Sequence, residues 1–235
     1  MAETELSLPQ FKLKISGGIY PKATKMIVAG GRAPQSRWLK EAACGLQVSC
    51  ADKGAVYCQQ AGIVPWLLCG DGDSAGQDIY AALAEQKTEI ARFNSLKDDT
   101  DLQLLLTRQG GANLIASGVF GGRFDHLYSN IYSLLAYRKH SAGAAVVLAD
   151  DKEALLLLTQ GEKAVITLPE PNKIKAASLL PLTPQAKVSI SGVQWPLQEA
   201  ELEMLHPYAI SNKALANILC SCQQGDLGLY FCFEE

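Results

Sequence analysis

Short apolar runs alternate with segments of helical periodicity between Lys25 and Asp150. Strand-like runs begin near residues 25, 46, 64, 88, 112 and 144, and helical patterns cover 35–44, 53–62, 100–111 and 123–140. Gly62 ends the second of these helices, and Thr100 with Gln103 forms a capping-box pattern at the start of the third. Strands separated by helices of this length predict a parallel sheet with helices on both faces.

The pattern changes after Asp150. Short β-type runs such as ALLLL, KAVITL, ASLLPL, KVSISGV and LGLYFCF are broken by Gly, Pro, Asn and Asp, and only 213–221 shows helical periodicity. This half is predicted to be all-β, a small sandwich or partial barrel. We therefore divide the chain into an N-terminal extension or first edge element (1–24), an α/β domain (25–150) and a β-sandwich domain (151–235).

Composition narrows the class of protein. The 235 residues are 48% hydrophobic and 19% charged, which is typical of a globular protein. A net charge of −3 and the lack of a Lys/Arg run argue against a nucleic-acid surface, and no segment resembles a signal peptide or a membrane span. Seven irregularly spaced cysteines predict reduced thiols and a cytoplasmic protein.

Polar residues and glycines follow several of the predicted strands. In a parallel sheet the carboxyl ends of the strands lie at one edge, and ligands bind at that edge. The residues in question are Asp52; Asp71 and Asp73; Lys97, Asp98, Asp99 and Asp101; and Gly121, Gly122, Arg123, Asp125 and His126. Crowded carboxylates repel one another unless a cation lies among them, and oxygen ligands without a thiolate cluster favour Mg²⁺ over zinc. Glycines beside the acids let backbone N–H groups approach a phosphate, and Arg123 offers a planar fork for one.

Several familiar nucleotide-binding and catalytic motifs are absent from the sequence. The chain has no G-x-x-x-x-G-K-[ST] loop, no G-x-G-x-x-G after its first α/β strand and no G-x-S-x-G elbow. Magnesium and a nucleotide phosphate remain as the predicted ligands, while the residues alone leave the acceptor open.

Four motifs in order resemble the thiamine pyrophosphokinase family. They are ADKGA (51–55), GDGDS (70–74), KDDTD (97–101) and GGRFDH (121–126), and a weaker C-terminal echo consists of SGVQWPL (191–197) and ISN (210–212). The resemblance implies an α/β nucleotide-binding catalytic domain joined to a β-sandwich that binds thiamine. It further implies a homodimer with thiamine at the subunit interface, and Mg²⁺-dependent transfer of pyrophosphate from ATP to the thiamine hydroxyl, with release of AMP.

The resemblance also implies a role for each matching residue. Catalytic roles fall to Asp71, Asp73, Asp98 and Asp101, of which Asp71, Asp73 and Asp101 would hold Mg²⁺. Nucleotide contacts fall to Asp52, Lys53, Gly70, Ser74, Gly122, Arg123 and Asp125. Contacts to thiamine fall to Lys97, Trp195, Ser211 and Asn212. Asp99 is expected to be solvated, and His126 to make structural hydrogen bonds rather than act as a base.

Some of these residues have alternative structural roles, and two positions depart from the family pattern. Asp101 would also suit a helix N-terminus through the dipole alone, Trp195 would suit the core of a β domain, and Ser211 would suit a plain turn. Lys53 stands where the family pattern has Gly, and Gly72 stands where family members often have a bulkier residue. A pyrophosphokinase for another hydroxymethyl compound, such as a pterin, and a binding protein without turnover therefore remain as alternatives.

Overall fold

The computed structural model describes residues 2–70, 76–93, 98–141 and 143–233, apart from the side chain of Gln77. Two compact units divide the chain: Pro21–Asp150 forms one, and Met1–Tyr20 joins Asp151–Glu235 in the other. The strands of the first segment are β1 (Glu3–Leu8) and β2 (Phe11–Ser16). None of the described helices combines the length and apolar character needed to cross a membrane.

The Pro21–Asp150 unit alternates strands and helices. Its elements are β3 (Thr24–Val28), α1 (Ser36–Ala42), β4 (Gln47–Ala51), α2 (Gly54–Gln60), β5 (Leu67–Gly70), α3 (Gln77–Glu85), β6 (Glu89–Arg92), α4 (Asp101–Thr107), β7 (Asn113–Ser117), α5 (Phe124–His140) and β8 (Val146–Ala149). The six strands pair in parallel in the order β8-β7-β3-β4-β5-β6. The predicted parallel sheet is therefore present in this unit.

The strand order sets the position of a ligand crevice. From β3 the chain steps toward β6, and from β7 it steps toward β8 on the other side, so the order reverses between β3 and β7. Right-handed crossovers then place α1 to α3 on one face and α4 with α5 on the other. Such a reversal opens a crevice beyond the carboxyl ends of the two central strands.

Burial explains the strands of this sheet. Residues 113–117 and 146–149 are buried at every position, because helices cover both faces of a parallel strand. Two local predictions are confirmed: Gly62 follows α2 with a φ of 67°, and α4 begins with a complete capping box. No element was predicted over 75–87, where α3 lies; its buried Tyr80 and Leu83 are the apolar face of a helix of only nine residues.

The other unit is β-rich. Its remaining strands are β9 (Glu153–Thr159), β10 (Lys163–Thr167), β11 (Ala176–Pro181), β12 (Gln185–Val193), β13 (Leu197–Glu203), β14 (Ala214–Gln224) and β15 (Asp226–Cys232). One antiparallel sheet has the order β1-β2-β10-β14-β12-β13, and β11-β15-β9 pair antiparallel in a second. Phe11 of the first sheet meets Phe231 of the second edge-on, with ring centroids 5.9 Å apart, so the two sheets pack against each other.

One expectation for this unit is wrong, and one of the two alternatives for the N-terminal segment is confirmed. Residues 213–221 are not helical: β14 pairs with β10 and β12, and the cross-strand hydrogen bonds outweigh the local helical pattern. Residues 3–16, expected as an extension or a first edge element, form β1 and β2. Phe11, Leu13 and Ile15 of β2 alternate with polar residues and are buried, while β1 lies at the sheet edge. The N-terminal segment is thus part of the β-rich core.

Candidate active site

The loops that follow β3 and β7 are joined by backbone hydrogen bonds. Ala29 N–H donates to the carbonyl of Ser117 at 2.8 Å, and Gly31 N–H donates to the carbonyl of Gly118 at 2.6 Å. A Cβ on Gly118 would overlap the Ala29 carbonyl oxygen, and its φ of 66° also favours glycine. Glycine therefore permits the close approach of the two loops at the point where the strand order reverses.

A cavity of about 490 Å³ opens at this point. The side chains and backbone that line it come from the loops after four strands and from the starts of α2, α4 and α5. They are Ala29, Gly30, Gly31, Ala51, Asp52, Lys53, Asp99, Thr100, Asp101, Leu102, Gly121, Gly122, Arg123, His126 and Asn130. The prediction that polar strand ends converge is thus confirmed for most described members of the set, but Asp98 and Asp125 are not among the lining residues.

Asp52 and Lys53 form one wall of the cavity. Asp52 has a left-handed φ of 46°, and its N–H donates to the carbonyl of Cys69 on β5 at 3.0 Å. A Cβ on Gly70, at the end of β5, would clash with Oδ1 of Asp52 and lie 2.8 Å from the Tyr80 hydroxyl. Gly70 therefore makes room for the Asp52 carboxylate, which is a structural reason for the glycine beside the predicted phosphate contacts.

Asp101 lies in the cavity wall as the first residue of α4. Thr100 caps the helix: its Oγ1 accepts from the Gln103 N–H at 3.2 Å, and its own N–H donates to Oε1 of Gln103 at 2.7 Å. The capping box is formed by Thr100 and Gln103 alone, and Asp101 is one of the residues that line the cavity. Asp99, expected to be solvated, is exposed and lines the cavity, whereas Asp98 is exposed and is not among the lining residues.

Arg123 and Asp125 stand at the start of α5, after two glycines with φ of 67° and 70°. Nε of Arg123 donates to Oδ1 of Asp125 at 3.1 Å, and Nη2 donates to Oδ2, so the predicted phosphate fork is paired with its neighbour. The hydrogen bond from Arg123 holds the pKa of the Asp125 carboxyl below its ordinary value. Both side chains are largely exposed, so solvent screens the pair and a phosphate can compete for it.

Five of the predicted positions cannot be placed. Asp71, Gly72, Asp73, Ser74 and Lys97 lie outside the described residues. Across the rest of the chain, no three His, Cys, Asp or Glu side chains are grouped closely enough to hold a metal ion. The carboxylates of Asp52, Asp99 and Asp101 nevertheless give the cavity hard oxygen donors and no thiolate, a donor set that fits Mg²⁺.

The cavity includes residues that the sequence patterns did not indicate. Gly30, Gly31 and Asn130 carry no charge and stand beside no charged residue of the four motifs, except that Asn130 follows the last of them within α5. Asn130 donates from Nδ2 to the carbonyl of Val119 at 3.0 Å, which ties α5 to the loop after β7. The Gly30–Gly31 pair directly after the first strand of the sheet was the available signal for that loop.

In the β-rich unit, Asn212 holds the backbone of Trp195. Its Oδ1 accepts from the Trp195 N–H at 3.1 Å, and its Nδ2 donates to the Trp195 carbonyl at 2.7 Å. Trp195 is 55% exposed, so the interpretation of this residue as core is wrong. Ser211 has a left-handed φ of 59°, and its N–H donates to Oγ of Ser178. The two C-terminal motifs thus meet and present an exposed indole.

Comparison with known proteins agrees with these motifs. Residues 43–146 match the family model described as thiamin pyrophosphokinase, catalytic domain, and residues 163–222 match thiamin pyrophosphokinase, vitamin B1 binding domain. The chain is 29% identical to thiamine pyrophosphokinase 1 of Arabidopsis thaliana over 148 residues, which are 59% of this chain and 54% of that protein. It is 26% identical to thiamine pyrophosphokinase of Bacillus subtilis over 168 residues, 70% of this chain and 76% of that one.

Solved structures give the same picture for the fold. The crystal structure of thiamine pyrophosphokinase from Bacillus subtilis has a TM-score of 0.78 at 24% identity, over 90% of this chain and all of that one. Thiamin pyrophosphokinase from Candida albicans has a TM-score of 0.75 at 14% identity, over 100% of this chain and 99% of that one. With two family models that together match more than half of its length, the chain belongs to the thiamine pyrophosphokinase family.

Proposed function

We propose that the protein transfers pyrophosphate from ATP to the hydroxyl of thiamine, with Mg²⁺, and yields thiamine diphosphate and AMP. The observation that carries the proposal is the cavity at the strand-order reversal, which is lined by Asp52, Asp101, Lys53 and Arg123. Phosphoryl transfer asks chiefly for positioning and neutralisation of charge, and this set offers acids for a cation and cations for phosphate oxygens. Family membership supports ATP and thiamine as the substrates.

In this proposal the chain's own residues bind and orient the two substrates. Mg²⁺ would be held by Asp101 with Asp71 and Asp73, and it would neutralise phosphate charge. Lys53 lines the cavity at the N-cap of α2, and Arg123 can exchange Asp125 for a phosphate. The thiamine hydroxyl oxygen bonds to the β-phosphorus of ATP and its proton is released to solvent, the bond from that phosphorus to the α–β bridging oxygen breaks, and AMP leaves with that oxygen.

The first experiment measures AMP release from ATP in Mg²⁺ buffer, with and without thiamine, and in parallel with a hydroxymethylpterin. We expect AMP only when thiamine is present. AMP formation with the pterin alone would move the function to the related pyrophosphokinase, whose motivation is Lys53 in the first motif. Tight ATP binding without AMP in either assay would point to a binding protein.

A matched pair of variants tests the role of Asp101. Asp101→Asn is expected to lower thiamine-dependent AMP release by about 10²-fold or more, because a metal-binding carboxylate is lost. Asp78→Asn removes an acid from the first turn of α3, where only the helix dipole is affected, at a cost of about 0.3–1 kcal/mol in stability. Equal activity in the two variants would assign Asp101 to the dipole alone.

A homodimer with thiamine at the subunit interface is part of the proposal, from the family resemblance. Asp101→Asn and Trp195→Ala are each expected to be inactive by themselves. Mixed after brief unfolding and refolding together, they should regain roughly a quarter of wild-type activity if each site combines one residue from each subunit. No recovery in a mixture shown to contain mixed dimers would place both residues of a site on one subunit.

A further inference from the structure

Arg32 lies in the loop between β3 and α1 and is not among the residues assigned above. Its Nε and Nη2 donate to the same oxygen of Asp150, Oδ2, at 2.9 and 2.6 Å. The Asp150 side chain is fully buried just after β8, and that of Arg32 is 29% exposed. This pair differs from an ordinary surface ion pair, because one partner has left water entirely.

The same arginine also contacts the loop after β7. Its backbone N–H donates to the carbonyl of Phe120 at 2.6 Å, and its guanidinium carbon is 5.9 Å from the centroid of the Phe120 ring. Its Cβ lies 2.8 Å from the place where a Cβ on Gly121 would stand, so the turn that leads into Arg123 rests directly on Arg32. Arg32 therefore links the carboxyl ends of β3, β7 and β8 behind one wall of the cavity.

Stability alone does not account for this arrangement. In a buried ion pair, the loss of hydration offsets most of the favourable free energy of attraction. A protein in which apolar residues replace both partners is often equally stable. The pair instead fixes the orientation of the Arg32 side chain, since a planar guanidinium held at two nitrogens can adopt few orientations. The loop whose position it sets is the one that carries the predicted phosphate contacts.

We propose that Arg32 and Asp150 form a positioning pair that fixes the glycine turn at 121–122 and thereby aims Arg123 at the phosphates. The inference rests on the proposed function, because it names how one wall of that cavity is held in register. Neither residue touches the substrates. Both act through the turn.

Three forms of the protein separate positioning from folding. Arg32→Lys keeps the charge and loses the fork, and the double variant Arg32→Gln with Asp150→Asn removes both charges so that neither is left buried and unpaired. Arg108→Lys is the matched control, since Arg108 pairs with Glu89 at 3.4 Å on the surface of the same unit. Melting temperature, kcat, the KM values for ATP and thiamine, and amide hydrogen exchange over 118–123 are measured for each.

We expect Arg32→Lys and the double variant to lower kcat/KM for ATP by about 10- to 100-fold, the cost of a misplacement near 1 Å. The KM for thiamine should stay within about twofold, and residues 118–123 should exchange faster by about tenfold. Arg108→Lys should match wild type in all of these. A double variant with wild-type melting, wild-type kcat/KM and unchanged exchange would overturn the proposal.

The same measurements keep the two proposals apart. If the wild-type protein forms no AMP with thiamine, the proposed function fails. The positioning role of Arg32 and Asp150 can then still be tested by ATP affinity, measured by calorimetry, and by amide hydrogen exchange over 118–123. Weaker ATP binding and faster exchange in both Arg32 variants would support it. Unchanged binding and exchange in both would refute it.

Discussion

Gly54 is the first residue of α2, and a methyl group there would strike the end of β3. A Cβ on Gly54 would overlap the carbonyl oxygen of Val28 and lie 2.7 Å from its carbonyl carbon. Both are backbone atoms of a central strand, so no side-chain rotation relieves the contact. The φ of Gly54 is not in the left-handed region, and the obstacle to Gly54→Ala is therefore space alone.

The size of the effect follows from that overlap. An ordinary contact of a Cβ begins near 3.4 Å, so the start of α2 must retreat by roughly 1.4 Å to clear the Val28 carbonyl oxygen. Overpacking of this kind costs about 1–3 kcal/mol, which in a chain of this length lowers the melting temperature by about 2–12 °C. Asp52 and Lys53 immediately precede Gly54 and move with it, and a misplacement near 1 Å can cost about 10²-fold in rate.

The control lies just beyond the other end of the same helix. Gly62 has a φ of 67°, and a Cβ added there would meet no heavy atom within 4 Å, so Gly62→Ala carries only the backbone cost of about 1–2 kcal/mol. Thermal unfolding and AMP release are measured for both variants. We expect both to melt earlier and only Gly54→Ala to lose activity. Equal activities in the two variants would refute the reasoning, because they would show that α2 does not position the cavity wall.

Three further predictions concern single contacts. Thr100→Ala should lower the free energy of unfolding by about 1 kcal/mol in urea titrations through loss of the α4 cap; an unchanged midpoint would contradict this. Asn212→Ala should raise the KM for thiamine and leave that for ATP unchanged, because it frees the Trp195 backbone; equal rises in both would contradict it. Arg123→Gln should return the pKa of Asp125, followed by NMR, toward its ordinary value. Because the pKa of Asp125 is lowered in the folded protein, the Arg123–Asp125 pair stabilises the fold at pH values above the ordinary pKa. This stabilisation is lost as the pH falls through the lowered pKa. An Asp125 titration that is the same in Arg123→Gln and in the wild type would contradict the prediction.

Much of the Pro21–Asp150 unit could be predicted because its signals are local. Fully apolar runs mark strands covered on both faces, and Gly62 and the Thr100 capping box mark helix ends within a few residues of themselves. The convergence of Asp52, Asp101 and Arg123 required only the rule that parallel strands end at one edge.

The β-rich unit and the supports of the site depend on distant partners. Strand β14 pairs with β10 and β12, which precede it by many positions, and β2 pairs with β10 across most of the chain. Periodicity within 213–221 carries no information about those partners. In the same way, Arg32 and Asp150 are 118 positions apart, and neither stands in a motif, so the sequence alone could not bring them together.

Lys53 shows how a departure from the family pattern is accommodated. A Cβ on Gly30 would lie 3.2 Å from the Cβ of Lys53, so the glycine after β3 leaves space for the lysine stem. The ammonium group is 6.0 Å from the centroid of the Tyr57 ring, and the side chain is exposed along the cavity wall. Because the stem occupies space that Gly30 leaves open, the lysine adds a positive charge at the wall without closing the cavity. A side chain at position 30 would crowd residue 53, because the two Cβ atoms would lie only 3.2 Å apart.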